Sequence, residues 1–320
     1  MHFDLLFENL TSPALLFFLL GIIASKLKSD LEIPSTSSKF ISLYLLFSIG
    51  FKGGQELAHS HFTAEILWTV LLGLLVACII PFYTFFILKQ KLSIENAGAV
   101  AATYGSISAV TFVTAVSFLE TQNQSFGGHL VAIMALMEAP AIIIGVTLIR
   151  MYSPHDDSLP NIRGIVVHSF TNASVLLILG SLLIGWLASD KQAQGIAPFT
   201  TDIFMGFLAV FLLDMGIQSG KRLSEFFRGG WFTTLFAIVI PLVNGISVSF
   251  LSGFVTDVIG NRFLLSVLAA SASYIAVPAA MRIAVPKANP SIFMPMSLAI
   301  TFPINITIGL PIYYYFVQNF

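Results

Sequence analysis

The sequence predicts an all-α integral membrane protein of about ten transmembrane helices in two inverted five-helix repeats, with the fourth and ninth helices interrupted. Three observations predict this fold: the composition, the spacing of the apolar segments and a repeated pattern of small residues. The chain has 320 residues, of which 56% are hydrophobic and 10% are charged, whereas soluble domains carry about 25% charged residues. A mean hydropathy of +0.89 leaves too little polar surface for a water-soluble protein of 34.8 kDa.

The apolar segments are long enough to cross a lipid bilayer about ten times. A spanning helix needs about 20 mostly apolar residues, and fewer where it is broken or enclosed by protein. The approximate bounds of the segments are 13–27, 37–51, 64–88, 93–120, 128–151, 165–189, 199–219, 230–255, 260–283 and 291–317. We therefore divide the chain into a first repeat over 1–151, a cytoplasmic linker over 152–164 and a second repeat over 165–320.

Small-residue patterns recur at one offset in the two halves. FSIGFKGGQEL at 47–57 aligns with LDMGIQSGKRL at 213–223, an offset of 166 residues. The same offset aligns GSISA at 105–109 with SASYI at 271–275. Because each repeat has an odd number of spans, the second repeat enters the membrane from the opposite side, which is typical of transporters.

The basic residues indicate the orientation in the membrane. With an external N-terminus, the predicted cytoplasmic loops hold 12 of the 15 Lys and Arg residues. Cytoplasmic loops of membrane proteins carry an excess of these residues. We therefore expect a multi-pass protein of the plasma (inner) membrane with both termini outside.

Several function classes lack the residues that they require. A net charge of -1 without a basic cluster argues against a nucleic-acid partner. The single cysteine, Cys78, cannot form a disulfide framework, and the chain has neither a GxxxxGK[ST] loop nor a GxSxG elbow. We predict that the protein is not an enzyme, holds no cofactor and uses an ion gradient as its driving force.

The fourth predicted span contains a weak point over 105–108. Gly105, Ser106 and Ser108 disfavour a continuous helix there, and Thr111 follows one turn later. A helix that restarts has free backbone N–H groups, which attract an anion, and Ser106 or Ser108 is the expected cap. The alternative is that these small residues only allow close helix packing.

The ninth predicted span repeats this pattern. Ser271, Ser273 and Tyr274 precede Pro278, which removes a backbone donor from the helix. We therefore expect an interruption over 271–275. Two interrupted spans at matched positions of the repeats favour a binding site over simple packing.

Two carboxylates lie within apolar runs, Glu138 in IMALMEAPAIII and Asp214 in FLAVFLLDMGI. A carboxylate at mid-span costs about 2.5–3.5 kcal/mol on insertion scales, so it normally faces a partner inside the protein. Neither run contains a basic residue, and Na+ or H+ is the expected partner; the alternative is a protonated, hydrogen-bonded acid. Thr301 and Asn305 in AITFPINITIG offer further oxygen ligands, with packing alone as the alternative.

Nearly the whole chain resembles the SbtA-type sodium-dependent bicarbonate permeases. The segments that carry the resemblance are GFKGG, GSISAVT, MEAP, LDMG, and above all SASYIAVPAAMRIAVPKANPS and TFPINITIGLP. The resemblance implies a sodium/bicarbonate symporter with ten spans in two inverted repeats, assembled as a homotrimer with a core and a gate region in each protomer. It also implies a PII-like nucleotide-sensing regulator on the cytoplasmic side.

The resemblance also implies which residues bind the two ions. The anion-binding positions are Gly105, Ser106, Ser108, Thr111, Ser271, Ser273 and Tyr274, and the sodium donors are Glu138, Asp214, Asn305 and Thr301. The family's Ser-Gly-Ser-Thr run reads SAVT at 108–111, and its Ser-Ser-Ser-Tyr run reads SASY at 271–274, so two hydroxyls are missing. Another small organic or inorganic anion, coupled to Na+ or H+, is therefore the alternative substrate.

Overall fold

A computed structural model describes residues 3–60, 62–153, 164, 167, 171–226 and 230–320. These residues form helices and connecting turns without any β-strand, which confirms the predicted all-α class. The predicted linker over 152–164 lies almost entirely outside the described residues.

The helices follow one another with short connections. In chain order they are α1 (Phe3–Leu10), α2 (Pro13–Lys26), α3 (Ser35–Ala58), α4 (Ala64–Leu88), α5 (Ile94–Gly105), α6 (Ala109–Thr121), α7 (His129–Leu136), α8 (Glu138–Tyr152), α9 (Ala173–Leu187), α10 (Asp190–Ala197), α11 (Phe204–Phe226), α12 (Trp231–Leu251), α13 (Ile259–Ala270), α14 (Ala276–Ala284) and α15 (Pro290–Asn319). A π-helical turn, Pro198–Asp202, joins α10 to α11, and α15 contains the π-helical stretches Met296–Thr301 and Asn305–Gly309.

Six helical segments among the described residues are long and apolar enough to cross a membrane. They are Ala64–Leu88, Ile94–Thr121, His129–Tyr152, Asp190–Leu223, Trp231–Phe254 and Pro290–Asn319. Three shorter apolar helices, α2, α9 and α13, coincide with further predicted spans. These observations support a multi-pass membrane protein, and the count of ten spans stays a prediction.

Helix α3 is longer and more polar than the sequence analysis predicted. The predicted segment covered 37–51, whereas the helix runs from Ser35 to Ala58. Its first turns carry Ser38, Lys39 and Ser42, which line a polar cavity. Because these side chains face the cavity, the helix needs less hydrophobic sequence at this end.

Two helix pairs pack backbone against backbone: α2 with α11, and α3 with α9. A Cβ atom at Gly216 of α11 would overlap the carbonyl of Phe18 on α2, and one at Gly185 of α9 would overlap the carbonyl of Phe51 on α3. Small residues allow this approach, which replaces the hydrophobic driving force that lipid cannot supply. We call α2, α3, α9 and α11 the four-helix unit.

The remaining long helices form a second unit around α5. This helix is buried from Ala97 to Gly105 and packs against α4 and α8, while α13 packs against α12 and α15. A Cβ atom at Gly105 would overlap the ring of Pro81 on α4, so only glycine fits at the end of α5. We call α4–α8 and α12–α15 the core unit.

Candidate functional site

The first helix interruption lies between α5 and α6. Helix α5 ends at Gly105 and α6 begins at Ala109, which confirms the predicted break. Ser108 is the N-cap, because its hydroxyl oxygen accepts a hydrogen bond from the backbone N–H of Thr111 at 3.2 Å. The first N–H groups of α6 have no partner within the helix and are available to a ligand.

The second interruption lies between α13 and α14, as the sequence predicted. Helix α13 ends at Ala270 and α14 begins at Ala276. The backbone N–H of Ser273 donates to the carbonyl of Thr103 on α5 at 2.9 Å. This hydrogen bond joins the second interruption to the turn of α5 that precedes the first one.

A cavity of about 30 Å³ lies at the two interruptions, and we call it the central cavity. Its polar lining residues are Ser42, Ser108, Glu138, Ser174, Ser273 and Tyr274. Both interruptions and both packing units contribute to this set. The cavity therefore brings Glu138 together with three of the predicted anion-binding residues.

Among the described residues, Glu138 Oε1 and Tyr274 Oη at the central cavity make no hydrogen bond, although the Tyr274 hydroxyl lies near the hydroxyl of Ser108. Glu138 and Tyr274 are only 4% and 5% exposed. The hydroxyls of Ser106 and Ser271, one in each interruption, are also buried without a partner. Since buried polar groups are normally hydrogen-bonded, this concentration indicates a ligand position.

A larger cavity of about 560 Å³ adjoins the central cavity, and we call it the vestibule. The two cavities share Ser42, Ser174, Phe211, Tyr274 and Ile275 as lining residues. The vestibule extends past the connection between α2 and α3, the start of α9 and the second half of α11. It is therefore a wide route from one side of the protein to the interruptions.

Asp214 lies in the wall of the vestibule and does not line the central cavity. The residue is 4% exposed. Its Oδ2 accepts hydrogen bonds from the hydroxyl of Ser38 and from Nε2 of Gln218, the latter at 2.8 Å. Asp214 and Glu138 thus line different cavities, and Asp214 lies near Tyr274, which lines both.

Thr301 and Asn305 line neither the central cavity nor the vestibule. Thr301 Oγ1 donates to the carbonyl of Ala237 at 2.7 Å and lies 2.8 Å from the hydroxyl of Tyr104. Asn305 Nδ2 donates to the carbonyl of Ala270 at 2.7 Å. Their roles as sodium ligands stay a prediction, and binding would require these oxygens to be shared with the ion.

Sequence reasoning missed Ser42 and Ser174, which line both cavities. Each is a serine near the start of a helix, a common position without a distinctive pattern. The spacing of Ser38 and Ser42, four residues apart on one face of α3, is the signal that points to a polar wall.

A third cavity, of about 190 Å³, lies at the other end of α2. Its lining includes Glu8, Ser12, Thr114 and Thr121, near the start of α2 and along α6. Close to this end, Lys52 of α3 forms an ion pair with Glu120 of α6 at 2.9 Å. We call this space the outer cavity, after the orientation that the sequence predicts.

Comparison with protein families finds a match over residues 13–318, to the family described as the Na+-dependent bicarbonate transporter superfamily. The matched region contains both interruptions, the central cavity and the vestibule. None of the curated proteins compared with the chain matches it.

Proposed function

Because the chain belongs to the Na+-dependent bicarbonate transporter superfamily, we propose that it is a sodium-dependent symporter that imports a small anion, with bicarbonate as the first candidate. Membership of a transporter family indicates transport rather than enzymatic catalysis. The observation that carries the proposal is the unpartnered carboxylate oxygen of Glu138 in the central cavity. Burial of a carboxylate oxygen without a hydrogen-bond donor is costly, and a bound cation would offset this cost.

The two ions occupy neighbouring positions in this proposal. Sodium binds at the Glu138 carboxylate, and the anion meets the Tyr274 hydroxyl, the Ser108 and Ser273 hydroxyls and the first N–H groups of α6. Gly105 and Thr111 shape the first interruption, and Ser106 and Ser271 supply unpartnered hydroxyls beside it. Each bound ion reduces the cost of binding the other, which is the thermodynamic basis of coupling.

Asp214 acts at a different stage of the sodium route. Its position in the vestibule wall, on the path from the central cavity, supports this role. A charge in a water-filled cleft raises the local concentration of cations. We assign Asp214 to the attraction and release of sodium there, and we assign Glu138 to its binding beside the anion.

An inverted repeat is the architecture that we propose for this transporter. The offset of 166 residues carries α4 onto 230–254, which coincides with the candidate span Trp231–Phe254. It carries α5 onto 260–271, within one residue of α13. The positions of the helices therefore agree with the offset that the sequence pattern indicates.

The glycine contacts support the same repeat. Gly50 of α3 packs on Ile178 of α9, and its counterpart Gly216 of α11 packs on Phe18 of α2. Ile178 and Phe18 are themselves 160 residues apart, six fewer than the offset of 166, so α2 and α9 match less closely in sequence position than α3 and α11 do. Matched contacts between matched helices support a pseudo-two-fold axis in the membrane plane, which is the basis of alternating access.

The orientation and the assembly are also part of the proposal. With both termini outside the inner membrane, the vestibule opens to the cytoplasm and the outer cavity faces the exterior. The homotrimer and the PII-like cytoplasmic regulator are proposed on the family resemblance.

Uptake of labelled bicarbonate into proteoliposomes tests the transport proposal. We expect uptake with an inward sodium gradient but not with an equal potassium gradient, and competition by unlabelled bicarbonate. Glu138→Gln should abolish the sodium dependence, whereas the matched control Glu56→Gln, at an exposed position of α3, should retain it. Sodium-dependent uptake that survives Glu138→Gln would contradict the assignment. Uptake driven by a proton gradient alone would identify H+ as the coupling ion.

A further inference from the structure

The lining of the central cavity bears on the chemistry of the anion. Of the 17 residues that line it, 11 are apolar. Val110 and Val113 of α6 lie directly after the Ser108 cap, and Leu45 and Phe211 close the cavity from the four-helix unit. In bicarbonate all three outer non-hydrogen atoms are oxygens. At least one of them would lie against hydrocarbon in this cavity and would lose the hydrogen bonds that it makes to water.

We propose that the preferred substrate is a short monocarboxylate, with acetate as its simplest suitable member, rather than bicarbonate. This inference rests on the sodium-dependent symport of the proposed function and replaces bicarbonate as its first candidate substrate. Acetate and bicarbonate have the same shape and the same number of non-hydrogen atoms, and they differ in a methyl group against a hydroxyl. Carboxylate oxygens suit the donors of the cavity, and a methyl group suits the wall that contains Val110.

The donors in the cavity are more than a bare helix terminus. The hydroxyl of Tyr274, a residue that is 5% exposed, has no partner and belongs to a different helix interruption from α6. It therefore points independently to a ligand oxygen at the same place. One carboxylate group can accept from this hydroxyl and from the start of α6 while its methyl group faces the apolar wall.

The size of the cavity limits the length of the acid. A volume of about 30 Å³ corresponds to roughly two water molecules. Acetate has four non-hydrogen atoms and fills this space. Each further methylene of propionate or butyrate has to displace the buried Leu45 or Phe211 or lie in the adjoining vestibule, away from the wall that contains Val110. Neither position adds a contact like that of the acetate methyl group, so affinity should not rise along the series.

Binding to the purified full-length protein tests the inference. Labelled acetate and labelled bicarbonate are measured in sodium and in potassium buffer by scintillation proximity in closed vessels. Binding is preferable to uptake because acetic acid crosses bilayers without a carrier. We expect sodium-dependent binding of both ions, with acetate roughly 10-fold tighter, and competition by butyrate that is no stronger than competition by acetate.

A matched pair of variants assigns the preference to the cavity wall. Val110→Thr places a hydroxyl in the cavity at nearly constant size, so it should shift the acetate-to-bicarbonate ratio roughly 10-fold toward bicarbonate. The control is Val116→Thr, on the same helix, 4% exposed and outside the cavity lining. This control should leave the ratio unchanged.

The outcomes separate this inference from the proposed function. Bicarbonate that binds as tightly as acetate, in sodium only, overturns the monocarboxylate preference and leaves the symport proposal intact. Binding of both ions that is independent of sodium overturns both. The ratio measured on the unmodified protein decides the matter even where Val110→Thr fails to fold.

Discussion

In the proposed site, Tyr274 would serve binding at the expense of stability. Its hydroxyl is buried at the central cavity without a hydrogen-bond partner. By contrast, the hydroxyl of Tyr104 lies 2.8 Å from Thr301 Oγ1. An unpaired buried polar group lowers the free energy of unfolding. A ligand that supplies the missing hydrogen-bond partner removes this penalty, so the group favours binding.

We expect Tyr274→Phe to raise the melting temperature of the ligand-free protein and to weaken anion binding. Removal of an unpaired buried hydroxyl stabilises a protein by up to about 1–3 kcal/mol. Tyr104→Phe is the control and should lower the melting temperature, because it breaks an existing hydrogen bond. Thermal unfolding with and without anion measures both effects. A lower melting temperature for Tyr274→Phe would mean that its hydroxyl is already satisfied.

At the residue scale, the sequence predicted those side chains whose role follows from local chemistry. Ser108 as a helix cap and Glu138 as a carboxylate in an apolar run both belong to this class. Thr301 and Asn305 do not, because their hydrogen-bond partners Ala237 and Ala270 lie 64 and 35 residues away. Sequence spacing carries no information on such remote contacts.

At the element scale, the helix interruptions were predictable and the lengths of some helices were not. Gly105 to Ser108 and the residues before Pro278 weaken a helix through local backbone chemistry. Helix α10 was missed because it has only eight residues, is polar in composition and buries none of them. Its capping box, in which Gln192 Oε1 accepts from the backbone N–H of Ser189 at 2.9 Å, is the signal that could have revealed it.

Helix α9 provides a matched test of close helix packing. A Cβ atom at Gly185 would overlap the carbonyl of Phe51 on α3, whereas one at Gly180 would meet open space. We expect Gly185→Ala to destabilise the protein by about 1–3 kcal/mol. Gly180→Ala should be neutral or stabilising by up to about 1 kcal/mol, since alanine favours helix. Thermal unfolding of both variants measures the difference, and equal melting temperatures would contradict the proposed contact.

At the scale of the whole molecule, the two units are in contact at the end that holds the Lys52–Glu120 ion pair and again beside the vestibule, where the Ser219 hydroxyl donates to the carbonyl of Leu298 at 2.9 Å. The Lys52–Glu120 ion pair joins α3 of the four-helix unit to the end of α6 in the core unit. The two side chains are 33% and 44% exposed. A pair of this kind contributes little to folding but can bias the balance between two arrangements of the units.

We expect Glu120→Gln to favour opening of the outer cavity. A reporter cysteine at Thr114, in a Cys78→Ala background, should react faster with an external thiol reagent, by up to about fivefold. Lys52→Gln should act in the same direction, and the charge swap Lys52→Glu with Glu120→Lys should restore the slow rate. Unchanged labelling in both single variants would exclude the ion pair from control of access. Glu56→Gln serves as the exposed control.

Both halves of the chain contribute residues to the central cavity, and this has an evolutionary consequence. Ser108 and Glu138 come from the first half of the chain, while Ser273 and Tyr274 come from the second. The bond from Ser273 to Thr103 also crosses between the halves. Neither half alone encloses a binding site. If the two halves arose by gene duplication, the ancestral protein had only one of them. Two copies of that chain, inserted into the membrane in opposite orientations, would then have formed the anion site together.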